Sequence, residues 1–295
     1  MKQTHWLILA MVIFTWAGCK QKLEKIPAIT ENPTGTWQTG KFVWHELASN
    51  QPEASKEFYE QMFNWKFEAY SDEYELITHD GKPIGGIVAL GADASAGSSQ
   101  WVSFLSVTNV DRGMEIAKAN GGSVVQSTVE LPGRGKMAVV RDPRSAPVGI
   151  IRTNGGDPAP TDAIVYNEWI WNELWTDDAP NVQEYYMRLA GLTSHNLASR
   201  DSSRDDYWIL FKKKEMEAGI IPIPEKMGNV KPNWLPYVAV EDLEAAVERV
   251  QKLGGEVLIA PEASSNRAAI VTDPSGAPFG IHKWPYSLEP KSPKE

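Results

Sequence analysis

The sequence predicts an α+β protein made of four βαβββ units that pair into two tandem domains. The first observation behind this is an internal repeat. The segment starting at Trp44 recurs from Trp171, and Glu46 matches Glu173 at the same spacing. A second pair of segments, RDPRSAPVGI and TDPSGAPFGI, closes the two copies. Finally, each copy shows the order strand, helix and strands twice over.

The first copy shows this order along its length. Residues 42–48 alternate and are rich in aromatics, which predicts a strand. Residues 52–63 have apolar side chains at helical intervals, and Pro52 and Glu53 are typical of a first helical turn. Strands at 74–78 and 84–90 are joined by HDGKP, a hairpin signal.

The second half of that copy repeats the order, with a helix that Gly121 and Gly122 end. The expected elements are a strand at 101–107, a helix at 111–120, and strands at 123–129, 136–141 and 147–152. The segment PGRGK lacks the strand–helix context of a phosphate loop, so it is interpreted as a hairpin connection. In the last unit, VEDLEAAVERVQKLGG has an apolar stripe and a terminal glycine pair, which predicts a helix.

The N-terminus has the pattern of an export signal. The apolar run WLILAMVIFTW is too short to cross a bilayer as a helix and is typical of a signal-peptide core. Small residues then precede Cys19, the only cysteine, which resembles a bacterial lipobox. We therefore expect Cys19 to carry a lipid, and the protein to be an exported, membrane-anchored lipoprotein of a bacterial envelope. A plain membrane anchor or an unpaired thiol is the alternative.

The chain divides at breaker-rich segments, of which GGDPAPTD is the clearest. The expected organisation is a signal peptide at 1–18, a lipidated cysteine and tether at 19–40, a first domain at 41–154, a linker at 155–163, a second domain at 164–286 and a polar tail at 287–295.

The charge balance restricts the partners. The formal net charge is −9, and no basic run indicates nucleic acid. An acidic chain is also a poor ligand for anionic lipid surfaces, so we expect membrane contact through the lipid anchor only. The expected partner is a small-molecule ligand, and the oligomeric state stays open.

The four units, the W-x-E-L and F-Y residues of the opening and the D-P-x-G-A-P closing together resemble the vicinal oxygen chelate superfamily. This is the fold of glyoxalases, bleomycin-resistance proteins and extradiol dioxygenases, and the resemblance covers residues 40–285. It implies that each domain is a curled mixed sheet forming a cup, with helices outside. In the family, the cup holds a small ligand, often with a divalent metal.

The resemblance also implies where metal ligands would lie. In the family, three strands of a domain offer metal ligands. The corresponding positions in the two domains of this chain are Trp44 and Trp171, Val102 and Leu235, and Gly149 and Gly280. None of these side chains binds a metal, so we expect no metal and no other cofactor. A divalent metal remains the alternative.

Strand alternation predicts which side chains face the cups. If Trp44 faces the cup, Phe42 does too, and His45 points to the helix side. The expected ligand pocket contains Trp44, Glu46 and Phe104 in the first cup, and Trp171, Glu173, Tyr237 and His282 in the second.

Aromatic walls with one carboxylate favour a metal-free binding module that holds a small organic molecule. The first alternative is an enzyme of the glyoxalase or dioxygenase type, which uses a metal or a Glu-based proton transfer with His282 as a partner. A second alternative is an interaction protein whose cups are filled by their own side chains. No residue is assigned a catalytic role.

Overall fold

The structure is a computed structural model that describes residues 26–91, 94, 98–160, 163–196, 207–224, 227, 230–264 and 267–284. The expected signal peptide, Cys19 and the polar tail lie outside the described residues. Among the residues that are described, no helix is long and apolar enough to span a membrane.

The first domain contains eight strands and two helices. In chain order these are β1 (Phe42–Ser49), α1 (Pro52–Phe63), β2 (Lys66–Ala69), β3 (Tyr74–His79), β4 (Lys82–Ala89), β5 (Gln100–Ser106), α2 (Val110–Ala119), β6 (Ser123–Leu131), β7 (Gly135–Arg141) and β8 (Pro147–Thr153).

The second domain repeats the same order, and its described residues also include a short 3-10 helix at Pro261–Ser264. Its other elements are β9 (Trp169–Thr176), α3 (Ala179–Ala190), β10 (Thr193–Asn196), β11 (Trp208–Lys212), β12 (Glu215–Pro222), β13 (Asn233–Val240), α4 (Leu243–Lys252), β14 (Val257–Ile259), β15 (Ala268–Thr272) and β16 (Pro278–Lys283).

Both sheets have the same topology. The first has the strand order β2-β3-β4-β1-β5-β8-β7-β6, and the second has β10-β11-β12-β9-β13-β16-β15-β14. The central pairs β1/β5 and β9/β13 are antiparallel, whereas β1/β4 and β9/β12 are parallel. The expectation of four βαβββ units in two curled, mixed sheets is confirmed.

The helix-bearing faces of the two sheets pack against each other. Two apolar clusters each combine residues of both domains, and α1 contacts α4 while α2 contacts α3. Phe58 of α1 meets the ring of Phe279 of β16 edge-on, with ring centroids 6.2 Å apart. Burial of such rings contributes about 1.5–3 kcal/mol each. The domains therefore share one core, and their opposite faces form two separate cups.

The repeated residues meet at this shared core. The Trp101 indole N–H donates to Tyr59 Oη at 2.8 Å, and Trp234 donates to Tyr186 Oη at the same distance. Tyr186 then donates to Asp142 Oδ2 of the other domain at 3.0 Å. The repeat therefore preserves a Trp–Tyr hydrogen bond within each domain, and Tyr186 extends one of these bonds to the other domain.

The aspartates of the two closing segments organise tight turns. Asp142 Oδ1 accepts the backbone N–H groups of Arg144 and Ala146, and Asp273 Oδ1 accepts those of Ser275 and Ala277. Burial raises the pKa of Asp142 to about 6, although these donors oppose the shift. Burial also raises the pKa of Asp273.

His45 lies on the shared face of the first sheet. Its Nε2 donates to Asn172 Oδ1 at 3.2 Å, and its ring stacks on Trp169. Because His45 and Asn172 are equivalent positions of the repeat, their contact lies on the approximate twofold axis between the domains. Burial lowers the pKa of His45 to about 3, so the imidazole is neutral and serves as a structural hydrogen-bond donor.

Candidate functional site

The W-x-E segment of β1 faces the outer side of the first sheet. Trp44 Nε1 donates to Glu46 Oε1 at 3.1 Å, so the ring and the carboxylate share one face. Phe104 of β5 pairs with Trp44 and belongs to the same apolar cluster. This face, around Trp44, Glu46, Phe104 and Tyr74, is the first cup.

The prediction for Phe42 is wrong. The register of β1 against β5 shifts between Phe42 and Trp44, as in a β-bulge. Phe42 therefore packs on Trp234 at the shared core, with ring centroids 4.8 Å apart, and Val43 packs toward the first cup. The extra residue reverses the alternation at the start of the strand.

The first cup is filled by the chain itself. Ile26 and Ile29 are 5% and 2% exposed and belong to the apolar cluster of Trp44 and Phe104. Farther along, Trp37 Nε1 donates to the Thr153 carbonyl. The described part of the expected tether, residues 26–40, thus packs on the first domain, because its apolar side chains are buried in the first cup.

Arg134 completes the first cup, and sequence reasoning missed it. It lies in the hairpin between β6 and β7, where PGRGK was interpreted only as a connection. Its Nη1 donates to Glu46 Oε1 at 2.8 Å, and its Nε donates to the Pro27 carbonyl. The guanidinium carbon lies 4.6 Å from the centre of the Trp44 ring. The sequence did carry a signal for such a partner. A partly buried Glu beside a Trp requires a cation or several hydrogen-bond donors near its carboxylate.

The second cup is the corresponding face of the second sheet, around Trp171, Glu173, Trp175 and Tyr237. Glu173 Oε2 accepts from Trp175 Nε1 at 3.1 Å and from Tyr237 Oη at 2.7 Å. Burial, and next the Glu173 carboxylate, raise the pKa of Tyr237 well above its usual value, so the phenol remains a donor. Trp171 is half-buried, whereas Trp44 is only 1% exposed.

His282 lies near the end of β16, opposite Ala239 of β13. It lies two residues beyond Gly280, and its Nδ1 contacts the Lys283 carbonyl at 2.8 Å. Burial lowers its pKa, so the ring is neutral at physiological pH. The hydrogen bonds that position the Glu173 carboxylate come from Trp175 and Tyr237, whereas the His282 ring contacts the backbone of Lys283.

Glycines explain why the closing strands carry no carboxylate. A Cβ at Gly149 would come within 2.3 Å of the Phe104 ring, and one at Gly280 within 2.2 Å of the Tyr237 ring. Each aromatic ring lies flat on the bare backbone of the neighbouring strand. The ring thus occupies the space into which a metal-binding side chain from that position would project.

The side chains of the cups do not fit a divalent metal. Each cup has three predicted ligand positions, and none of them carries a side-chain atom that can coordinate a metal. The Glu46 carboxylate already bonds to the guanidinium of Arg134. Such a cation would repel a metal ion at the same oxygen. Across the described ranges, no group of three or more His, Cys, Asp or Glu side chains is placed to bind a metal.

Family models match both halves of the chain. Residues 41–146 match the model described as the Glyoxalase/Bleomycin resistance protein/Dioxygenase superfamily, and residues 173–282 match one described as a glyoxalase-like domain.

Named relatives span most of the chain. "Putative glyoxylase CFP32" of Mycobacterium tuberculosis is 28% identical over 254 residues, which cover 81% of this chain and 93% of the relative. "Anthracycline biosynthesis protein DauV" of Streptomyces sp. strain C5 is 27% identical, over 82% of this chain and 92% of the relative.

Solved structures share the fold at low identity. The Mn(II)-bound glyoxalase from Novosphingobium aromaticivorans has a TM-score of 0.58 and 13% identity, covering 83% of this chain and 82% of that chain. The 2,3-dioxygenase LapB from Pseudomonas sp. KL28 has a TM-score of 0.56 and 15% identity, covering 85% and 95%. Because the family models match residues 41–146 and 173–282, the chain belongs to the glyoxalase/bleomycin resistance/dioxygenase superfamily, as a tandem of two of its domains.

Proposed function

We propose that the chain is a binding protein for a small organic molecule, which the second cup holds without a metal. The observation that carries the proposal is the difference between two equivalent tryptophans. Trp44 is covered by Arg134 and lies in one apolar cluster with Ile29, whereas Trp171, on the same face as Glu173, is half-buried. Only the second cup thus offers an accessible aromatic surface and a carboxylate together.

The carboxylate of the second cup favours a ligand with hydrogen-bond donors. Both of the bonds that it forms with described residues end on Oε2, so within this part of the chain Oε1 is available to another donor. Within the described part of the chain, no Lys, Arg or His nitrogen forms an ion pair with Glu173, in contrast to Glu46. An ammonium group near the Trp171 face would gain from the carboxylate and from a cation–π contact.

The relatives suggest a ligand to test. One relative is named as an anthracycline biosynthesis protein, and the match covers 92% of its length. Anthracyclines are planar polycyclic aromatics that carry an aminosugar, which combines a stacking surface with a cation. Both features suit Trp171 and Glu173, so we take this class as the first candidate ligand.

We expect the full chain in detergent to bind an aminosugar anthracycline, and Glu173→Gln to weaken this binding about tenfold through loss of a charged hydrogen bond. Trp171→Ala should weaken it comparably. Titration of ligand fluorescence measures both effects, and the N-acetylated anthracycline, which lacks the cation, should bind the wild type and Glu173→Gln alike. Glu184→Gln, which changes an exposed helical carboxylate, is the control. Unchanged binding in Trp171→Ala and Glu173→Gln would show that the second cup is not the site.

The competing function is an enzyme of the glyoxalase or dioxygenase type that uses a metal. Elemental analysis of the same preparation separates the binding protein from the enzyme. If the cup binds no metal, the measured iron, manganese, nickel and zinc should each lie far below one atom per chain. Near-stoichiometric metal that is lost in Glu173→Gln would replace the binding proposal with the enzyme.

We also propose that a lipid on Cys19 anchors the protein in a bacterial envelope, on the basis of the lipobox-like sequence before that residue. Cys19→Ser removes the acceptor sulfur, so no lipid is attached. In fractionated cells, metabolic labelling with a fatty-acid analogue should mark the wild type and leave Cys19→Ser unlabelled. Equal labelling of both proteins would refute the anchor.

A further inference from the structure

A cleft of about 670 Å³ lies beside the second cup, where the two domains meet. The first domain contributes the turn between β7 and β8 and residues 98–100. The second contributes Asn233 and Leu235 of β13 and the turn between β15 and β16. Trp175 lines the cleft and also bonds to Glu173, so cleft and cup share one wall.

Part of the cleft lining is apolar. Trp175, Leu235 and Ile270 line it and are each 4–6% exposed, and Leu258 at its edge is 41% exposed. Apolar area at the edge of a cavity is removed from water when a ligand lies against it. This wall therefore suits the hydrocarbon part of a ligand.

The charged part of the cleft lining is basic. Arg141, Arg144 and Lys231 line the cleft, and among the described residues no Asp or Glu does, although the whole chain has a net charge of −9. Arg144 is paired with Asp177, whereas Arg141 and Lys231 form no ion pair within the described ranges. Two uncompensated cations in a concave surface attract anions.

Two polar atoms point to a ligand independently of the charges. Asn233 Oδ1 and Ser98 Oγ are buried, belong to residues that line the cleft, and have no hydrogen-bond partner among the described residues. Buried polar atoms are normally satisfied, so these two atoms mark a part of the cleft wall whose hydrogen bonds are incomplete. The Ser98 hydroxyl can donate to a carboxylate, and the Asn233 carbonyl can accept from a hydroxyl or amine.

We propose that this cleft binds a small organic anion, an aromatic or acyl carboxylate, with its carboxylate on Arg141 and Lys231. Its hydrocarbon part lies against Trp175 and Leu235. The site differs from the second cup in the sign of its charge, since the cup presents a carboxylate and the cleft presents cations. It does not depend on the ligand proposed for the cup.

The test compares 2-naphthoate with 2-naphthamide, which has nearly the same shape and no charge. Isothermal titration calorimetry of the full chain in a non-ionic detergent, with a detergent blank, gives both affinities. We expect saturable binding of 2-naphthoate that Arg141→Gln weakens about tenfold and the double variant with Lys231→Gln weakens further. Binding of 2-naphthamide should change less than about twofold.

Arg188→Gln is the control, because it removes an exposed arginine of α3 that does not line the cleft. If it weakens 2-naphthoate binding as much as Arg141→Gln does, general charge is responsible and the cleft assignment fails. Absence of saturable 2-naphthoate binding, or equal affinity for the two probes, also overturns the proposal. Weakening by Trp171→Ala but not by Arg141→Gln would place the anion in the second cup, which refutes the cleft and leaves the cup proposal standing.

Discussion

Replacing Glu46 with leucine is expected to lower the free energy of unfolding by about 3–5 kcal/mol, because it leaves the Arg134 guanidinium buried without a counter-charge. The Arg134 side chain is 0% exposed, and Glu46 is its ion-pair partner at 2.8 Å. The Arg134 Nη2 atom already has no hydrogen-bond partner in the described residues, so no spare bonding remains to compensate. Denaturant titration of wild type and variant measures the loss.

The double variant Glu46→Leu with Arg134→Met tests the cause. It removes both charges and keeps apolar volume in the first cup, so it should recover most of the lost stability. Glu173→Leu in the second cup is the matched control, since among the described residues its carboxylate bonds only to the neutral donors of Trp175 and Tyr237. We expect it to cost about 1–3 kcal/mol, the range for buried donors left unpaired. An equal or larger loss in Glu173→Leu, or no recovery in the double variant, would contradict the account.

The repeat made the fold predictable, because one set of spacings specifies all four units. The alternation of β1 also predicted that Trp44 and Glu46 share a face. It failed two residues earlier at Phe42, because a bulge adds one residue without changing the apolar pattern. Alternation describes only a regular ladder, and the irregular residue becomes visible only once the partner strand is known.

The contents of the first cup were not predictable in the same way. Ile26 and Ile29 stand in a segment rich in polar residues, and only the open cup makes their burial favourable. Arg134 is sequence-distant from Glu46, and a hairpin arginine is usually solvated. The equivalence of Tyr186 with Tyr59 was clear from the repeat, but its bond to Asp142 joins different domains. Equivalence shows which residues share a role and does not show which residues touch.

Asp142 is expected to make the protein less stable as the pH rises from about 4 to about 6, the reverse of an ordinary ion-paired carboxylate. Burial raises its pKa in the folded state to about 6, from its ordinary value of 3.8. The folded state therefore holds the proton more tightly than the unfolded chain does, and this contribution is complete below the unfolded pKa. It is lost as the pH passes the folded pKa, and the difference corresponds to about 3 kcal/mol.

Asp142→Asn isolates this contribution, because the amide keeps an oxygen for the N–H groups of Arg144 and Ala146 and cannot ionise. The free energy of unfolding of both proteins is measured from pH 4 to pH 7. As the pH rises, that of the wild type should fall by about 3 kcal/mol relative to that of Asp142→Asn. Asp177→Asn is the control, since Arg144 lowers the pKa of Asp177 and its titration falls below this window. Parallel curves for wild type and Asp142→Asn would mean that Asp142 ionises as it does in water. The hydrogen bonds from Arg144, Ala146 and Tyr186 would then balance the effect of its burial between the domains.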